Sequence, residues 1–412
     1  MINQAYPIVR ENERKINWRF LVSELKPKGK WLTPFNIISI PIILLGFFLI
    51  VIRFWKGLGS ITNLTQDVPW GLWIGFDVVT GVAFAGGAYV VTFMVYILNM
   101  KKYHSIVRVT VLNGFLAYAF YTGALLLDLG RPWNVINPMI GNSFGTSSVL
   151  FLVAWHFVLY MLALLIEFSP AIAEWIGSRR AHKILSGMSI GAVIFGITLS
   201  TLHQSGLGAL YLMAKDKIHP LWYSEFIPIL FLVSSVFAGL SMVIFEGAIS
   251  HKVFFNKISD KNKKAQHGII HGLSKICAVA MFAYFCLHFL VFIHGKNWVY
   301  LNTPMGYWFL VEMLGFVLVP MMLFFYSYRT GDVLLIRIAA ILTMLGIIVN
   351  RLNVTVIGFR WDAAVPYVPS WMEIVVTLAV IFTEIWIFRW VIRRMPVLSD
   401  FSPLKEKKIN SD

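Results

Sequence analysis

The sequence predicts an all-α integral membrane protein of about ten transmembrane helices, and three observations carry that prediction. Of the 412 residues, 58% are hydrophobic and 13% are charged, about half the charge of a soluble domain. Ten apolar runs are each long enough to cross a hydrocarbon layer about 30 Å thick, which takes roughly twenty helical residues. Between those runs, Lys and Arg gather on one side, the positive-inside pattern of membrane proteins.

Taken in order, residues 1–32 are polar and basic and lack the apolar stretch of a signal peptide, so they read as a retained cytoplasmic segment. The membrane domain, residues 33–393, opens with Thr33–Trp55, almost wholly aliphatic and aromatic. The second run, Trp70–Asn99, contains Ala85-Gly86-Gly87-Ala88, small residues that suit a close helix crossing in lipid. Val109–Leu129, Ser147–Phe168 and Ile184–Leu210 come next. Phe226–Ala248, Ile276–Ile293 and Gly306–Tyr326 carry at most one acidic residue each. Val333–Asn350 and Trp371–Ile392 complete the set, and residues 394–412 form a polar cytoplasmic tail.

With both termini in the cytoplasm, the cytoplasmic segments hold 25 of the 35 Lys and Arg and the opposite loops hold 7. Arg53, Arg337 and Arg389 fall within runs, and Lys252–Lys264 is the densest internal block. The net charge of +15 therefore reflects membrane topology rather than nucleic-acid binding. Outer loops such as Asp128–Asn134 and Arg351–Ser370 are rich in Trp, Pro and Asn and poor in charge, which suits packing against the interface or a partner protein. Cys277 and Cys286 share one apolar run, so they supply neither a disulfide framework nor a four-thiolate iron–sulfur site. If electrons pass through this chain, another subunit brings them.

Ionisable groups inside a span are costly and are functional candidates by default. Asp77 lies about 10 Å below the outer surface by helical rise, where a carboxylate must pair, protonate or face a polar cavity. His203, with Gln204 and Ser205 beside it, sits toward the outer end of the fifth run. Imidazole, amide and hydroxyl together can bond a carbonyl and exchange a proton with it, as quinone reduction requires; the alternative is a helix-capping polar cluster. Asp128 and Arg131 end the third run at the same level, either as a capping charge pair or as part of that site. Tyr118 is ten residues further in, at mid-membrane depth, open to packing or proton relay. Toward the cytoplasm, Glu246 is a candidate for proton admission, whereas Glu167 reads as a residue facing headgroups. Glu312, Arg337, Arg351 and Glu384 are further charges that line a polar path or pair with one another. A transmembrane haem needs axial histidines on facing helices, often about thirteen or fourteen residues apart. The runs hold only His156, His203 and His288, with His294 at an edge, and none has that spacing, so no haem is expected in this chain.

Several stretches together resemble the NrfD/polysulfide-reductase membrane-subunit family. They are Leu58-Gly59-Ser60, Pro69-Trp70-Gly71-Leu72-Trp73, Phe76-Asp77, Gly86-Gly87, His104 and Arg108, Asp128-Leu129-Gly130-Arg131 before Trp133-Asn134, and Glu167-Phe168-Ser169-Pro170. The most specific are His203-Gln204-Ser205, His219-Pro220-Leu221-Trp222 and Ile244-Phe245-Glu246-Gly247, with Pro369-Ser370-Trp371 and Glu384 near the end. The match is nearer to the ten-helix branch of HybB-type "cytochrome b" subunits of nickel–iron hydrogenases, and runs in order from about Ile38 to Leu398. The resemblance implies two four-helix bundles flanked by the first and last helices, with a quinone-site bundle over about 70–210 and a second over about 226–351. It implies a haem-free subunit that binds menaquinone or ubiquinone near the outer face and docks a periplasmic iron–sulfur subunit of the four-cluster ferredoxin type. A further catalytic subunit, such as a hydrogenase or a multihaem cytochrome, completes such complexes. The quinone-site positions that match here are Asp77, Tyr118, Asp128 and His203, joined in our reading by Gln204 and Arg131. Glu246 and Arg351 match a proton route, to which Tyr118 and His156 are added. One departure is Leu152, where family members can carry a glutamate after Val-Leu-Phe; His156, one turn on, is the available substitute.

The resulting expectation is a quinone-linked oxidoreductase subunit in a bacterial or archaeal cytoplasmic membrane, without haem or iron–sulfur cluster of its own and possessing a route for protons. The competing class is an ion or solute transporter, which the intramembrane charges alone would permit. Transporters usually pair broken helices across inverted repeats, and no such pair stands out here.

Overall fold

The computed structural model describes residues 22–24, 26, 28, 32–140, 145–255, 258, 260–363 and 365–398. Most of the N-terminal segment, the tail beyond 398, and parts of the Asp128–Ser147 loop and the Lys252–Lys264 block lie outside the described residues. Among the described residues, ten helices are long and apolar enough to cross a membrane: α1 Pro34–Lys56, α2 Trp73–Ile97, α3 Lys101–Asp128, α4 Val149–Ile176, α5 Arg179–Lys217, α6 Ile227–Val253, α7 Ala265–His294, α8 Pro304–Thr330, α9 Val333–Ile357 and α10 Trp371–Arg394. Among the described residues there is no sheet, only an isolated bridge between Ile218 and Phe359. The chain is a multi-pass integral membrane protein with an all-α fold.

Several helices outrun their apolar stretches. The fourth run ends at Phe168, yet α4 continues through Pro170 to Ile176. α5 starts at Arg179, five residues before its apolar run, with Ser178 accepting from the Ala181 N–H as its cap. Apolar length measures the lipid layer; helical hydrogen bonding carries on beyond it wherever caps allow.

Arg394 at the end of α10 donates to the Glu24 and Lys26 carbonyls, which places the start of α1 and the end of α10 on one side, here called the terminal side. On that side the hairpins are tight. Gly177 (φ 82°) and Gly331 (φ 75°) end α4 and α8 in the left-handed conformation, and Ser178 and Asp332 at once cap α5 and α9. The longer connections lie on the far side, where His219 N–H donates to the Gly358 carbonyl (2.8 Å) and Arg360 N–H to the Lys217 carbonyl (2.6 Å).

α1 packs along α10, with Trp386 Nε1 donating to Ser39 Oγ (2.9 Å) and Arg389 to Asn36 Oδ1 (3.0 Å). α6 packs on α5, α7 and α9, and also crosses α2. At that crossing a Cβ on Gly239 would stand 2.0 Å from Gly87 N, and one on Gly87 would stand 2.8 Å from the Gly239 carbonyl oxygen. The small residues expected in the second run are therefore a backbone-to-backbone contact, and Gly239 is the partner that closes it.

Candidate functional site

The polar residues of the first half fall into two groups on either flank of α3. His203 of α5 is 2% exposed. Its Nδ1 lies 3.3 Å from the Val153 carbonyl of α4, while Nε2 is buried with no hydrogen-bond partner. Tyr118 of α3 and Phe157 of α4 each stand 5.6 Å from the imidazole, centroid to centroid. Tyr118 in turn meets Tyr160 edge-on at 4.8 Å and stacks on Phe157 at 5.3 Å. Ser200, three residues before His203, stands beside the Tyr118 and Tyr160 hydroxyls. His156, also close to His203, has a buried Nδ1 without a partner. Gln204 turns away and donates to the Val82 carbonyl of α2 (2.8 Å), tying α5 to α2.

This arrangement has defined chemistry. A ring that donates Nδ1–H to the Val153 carbonyl presents Nε2 as an acceptor when neutral and as a donor when protonated. Nε2 can therefore take a proton from a hydroxyl or give one to a carbonyl without moving the ring.

The second group surrounds Asp77, which is fully buried on a π-helical stretch, Trp73–Thr80. π turns occur often at functional positions because they redirect one side chain within a helix. Asp77 Oδ2 accepts from Thr377 of α10 (3.0 Å), and Oδ1 has no partner. Asp128 also keeps a buried Oδ1 without a partner. The basic group beside Asp128 is Arg53 of α1, which donates Nε to the Leu127 carbonyl (2.7 Å) and a second bond to the Leu129 carbonyl. Arg131 is exposed. Glu373 stands close to Asp128, holding the Tyr367 hydroxyl at 2.5 Å and the Ser370 N–H at 2.7 Å. One turn past Tyr118, Tyr121 lies against Gly81, with Glu384 of α10, Asp77 and Glu246 as neighbours. Glu246 accepts from Asn113 and lines a cavity of about 100 Å³ on the terminal side, with Thr110, Ser250 and Gln266.

Arg351 belongs to a third network, in the second half. Glu312, on the π-helical stretch Val311–Leu318, accepts from Trp222 Nε1 (2.7 Å), Asn350 (2.7 Å) and Asn353 (2.5 Å). Asn350 also accepts from Arg351 (2.8 Å), so one amide bridges acid and base. Arg351 donates to Ser234 (2.7 Å) and lies 3.6 Å over the Phe231 ring.

Two positions differ from expectation. Leu152 points outward, 44% exposed, so that position is not part of the interior, whereas His156 is half-buried with its Nδ1 turned in. Glu167 does not end its helix facing headgroups: α4 runs nine residues further, and Glu167 turns a buried, unpartnered Oε1 inward. Sequence reasoning had no signal for Thr377 or Glu373, which lie hundreds of residues from Asp77 and Asp128. Tyr121 and Asp128, seven apart on one helical face, could have been paired by spacing. Among the described residues, no three His, Cys, Asp or Glu side chains gather to hold a metal ion.

Known proteins place these groups in context. The family described as "Polysulphide reductase, NrfD" matches residues 60–360. A protein of Nitratidesulfovibrio vulgaris (strain Hildenborough) is 42% identical over 377 residues, covering 91% of this chain and 97% of that one. The "Probable Ni/Fe-hydrogenase 2 b-type cytochrome subunit" of Escherichia coli K12 is 29% identical over 90% of this chain and 93% of its own length. The "Menaquinone reductase, integral membrane subunit" of N. vulgaris is 26% identical over 85% and 88%. With residues 60–360 matched by that family and most of its length matched by these relatives, the chain belongs to the NrfD/polysulfide-reductase family of membrane proteins.

Proposed function

We propose that this chain is the haem-free, quinone-interacting membrane subunit of an oxidoreductase complex. It passes electrons between an iron–sulfur subunit docked on the far side and the menaquinone or ubiquinone pool, in a bacterial or archaeal cytoplasmic membrane with both termini cytoplasmic. The observation that carries this reading is the buried, unpartnered Nε2 of His203 beside Tyr118. A quinone supplies a two-electron, two-proton couple there, and its oxygens suit a nitrogen that can accept or donate. The names of two relatives, a menaquinone reductase membrane subunit and a hydrogenase b-type cytochrome subunit, agree with such a role.

In this reading the quinone-site bundle is about 70–210, the second bundle about 226–351, and α1 with α10 brace the first. His203 and Tyr118 face the quinone, Gln204 fixes α5 against α2, and Asp77 and Asp128 form the acidic flank near the surface where Arg131 meets the partner. His156 and Glu246 exchange protons, and Arg351 balances Glu312.

The complex purified through a tag on this chain tests the assignment. His203→Ala and Asp77→Asn are expected to lower quinone-coupled turnover on the order of a hundred-fold, with assembly and electron transfer to an artificial acceptor preserved. Normal quinone turnover in both variants would remove the assignment.

A further inference from the structure

On the terminal side, a cavity of about 330 Å³ opens among α2, α3, α4 and α5, lined by Tyr96, His104, Arg108, Glu167, Ser186 and Ser189. Arg108 is a fixed wall of it. Its guanidinium holds Glu174 in two bonds of 2.6 and 3.0 Å and also donates to the Pro396 carbonyl. Glu167 is different: its Oε1 is buried and makes no hydrogen bond, and neither does Ser186 Oγ. The rest of the wall is largely apolar, with Val107, Val111 and Phe168 among its residues, so the unbonded Glu167 Oε1 is one of the few groups there placed to exchange a proton with water.

From Glu167 the polar groups continue inward. Tyr160 lies seven residues earlier, on the same face of α4 and close enough to Glu167 to feel its charge. Seven residues rise about 10.5 Å, so a relay between the two side chains needs a bridging water. Ser200 Oγ neighbours the Tyr160 and Tyr118 hydroxyls and, like the Tyr160 hydroxyl, is buried without a hydrogen bond; the two rings meet at 4.8 Å, and Tyr118 lies 5.6 Å from the His203 ring. Glu246 opens on the other cavity, and its polar neighbours further in are Glu384 and Tyr121, the latter beside Asp77.

We propose that Glu167 is the proton inlet of the His203 site. Protons taken up when quinone gains two electrons from the iron–sulfur partner pass from the terminal-side cavity through Glu167, Tyr160, Ser200 and Tyr118 to His203 Nε2. At each hydroxyl one proton arrives and one leaves, so two protons enter per quinol formed and no relay group changes charge overall. This rests on His203 serving the quinone.

The test uses the purified complex in proteoliposomes, with quinone reduction followed beside a proton-sensitive dye on the terminal side. Glu167→Gln keeps the shape of the side chain but carries no acidic proton. It is expected to slow quinone reduction and dye-reported proton uptake together, tenfold or more. Bound quinone and electron transfer to a one-electron acceptor should remain at the wild-type level, and Glu167→Asp should recover much of the rate. A structural role would instead lower both electron-transfer activities and would not be rescued by Asp. Wild-type quinone reduction in Glu167→Gln, in a preparation where His203→Ala abolishes it, would overturn the inlet and leave the quinone site standing. A His203→Ala complex with undiminished quinone reduction would overturn both.

Discussion

The groups around His203 and around Glu312 face the same physical problem and meet it differently. Each lies in the membrane interior, where an unmatched polar group costs free energy that lipid cannot return. Around Glu312, three donors meet one carboxylate, Asn350 bridges acid and base, and Arg351 leaves only Nε unbonded while stacking on Phe231. Around His203, Nε2, the nearby His156 Nδ1 and, farther along, Glu167 Oε1 all lack partners. Hydrogen-bonding capacity left open in an otherwise packed interior is capacity for something that comes and goes. Around Glu312 the polar residues are spent on holding helices together, while His288 of α7, in the same half, keeps a buried Nδ1 without a partner; around His203 several such atoms stand open together.

The comparison breaks most visibly if Glu312 is removed. Glu312→Ala strands Arg351 without its counter-charge, and breaking a buried pair costs about 3–5 kcal/mol. The expected outcome is loss of assembled protein from membranes, with recovery when Arg351→Met is combined with Glu312→Met. A Glu312→Ala chain that assembles normally but no longer turns over quinone would move the functional site into the second half.

The seam between the halves should respond next. Gly239→Ala drives a methyl group into the Gly86–Gly87 backbone of α2, and overpacking of this kind costs about 1–3 kcal/mol. A lowered thermal midpoint with ordinary turnover per surviving complex is expected. An unchanged midpoint would mean that the two helices slide apart freely.

The smallest effect concerns His219, in the connection between α5 and α6. Its Nδ1 accepts the Leu221 N–H (3.2 Å), and burial holds its proton affinity below the usual value of 6.5. The unfolded chain therefore binds this proton more readily than the folded one. The contribution to stability is present above the usual value and fades as pH falls below it. Thermal midpoints measured from pH 7.5 to 5.5 should fall less in His219→Asn than in the parent. Equal slopes would contradict the assignment.

The spans could be read from sequence because each needs only its own apolar length, and the Gly86–Gly87 crossing because small residues mark close approach. Helix ends could not, since α4 and α5 continue past the lipid layer on hydrogen bonds that hydropathy does not register. That error made Glu167 look like a surface residue. His203 and Asp77 stood out as polar groups in apolar runs, but their membership of separate groups did not. Which flank of α3 each faces depends on Thr377 and Tyr160, brought in from other spans by packing.

The most direct test of the division between the halves is photo-crosslinking of an azido-quinone to the assembled complex, with the labelled peptides mapped by mass spectrometry. Label concentrated on α3, α4 and α5 near Tyr118, His156 and His203, competed by unlabelled quinone and lost in His203→Ala, is the result predicted here. Competable label centred on α8 and α9 near Glu312 and Arg351 would contradict it.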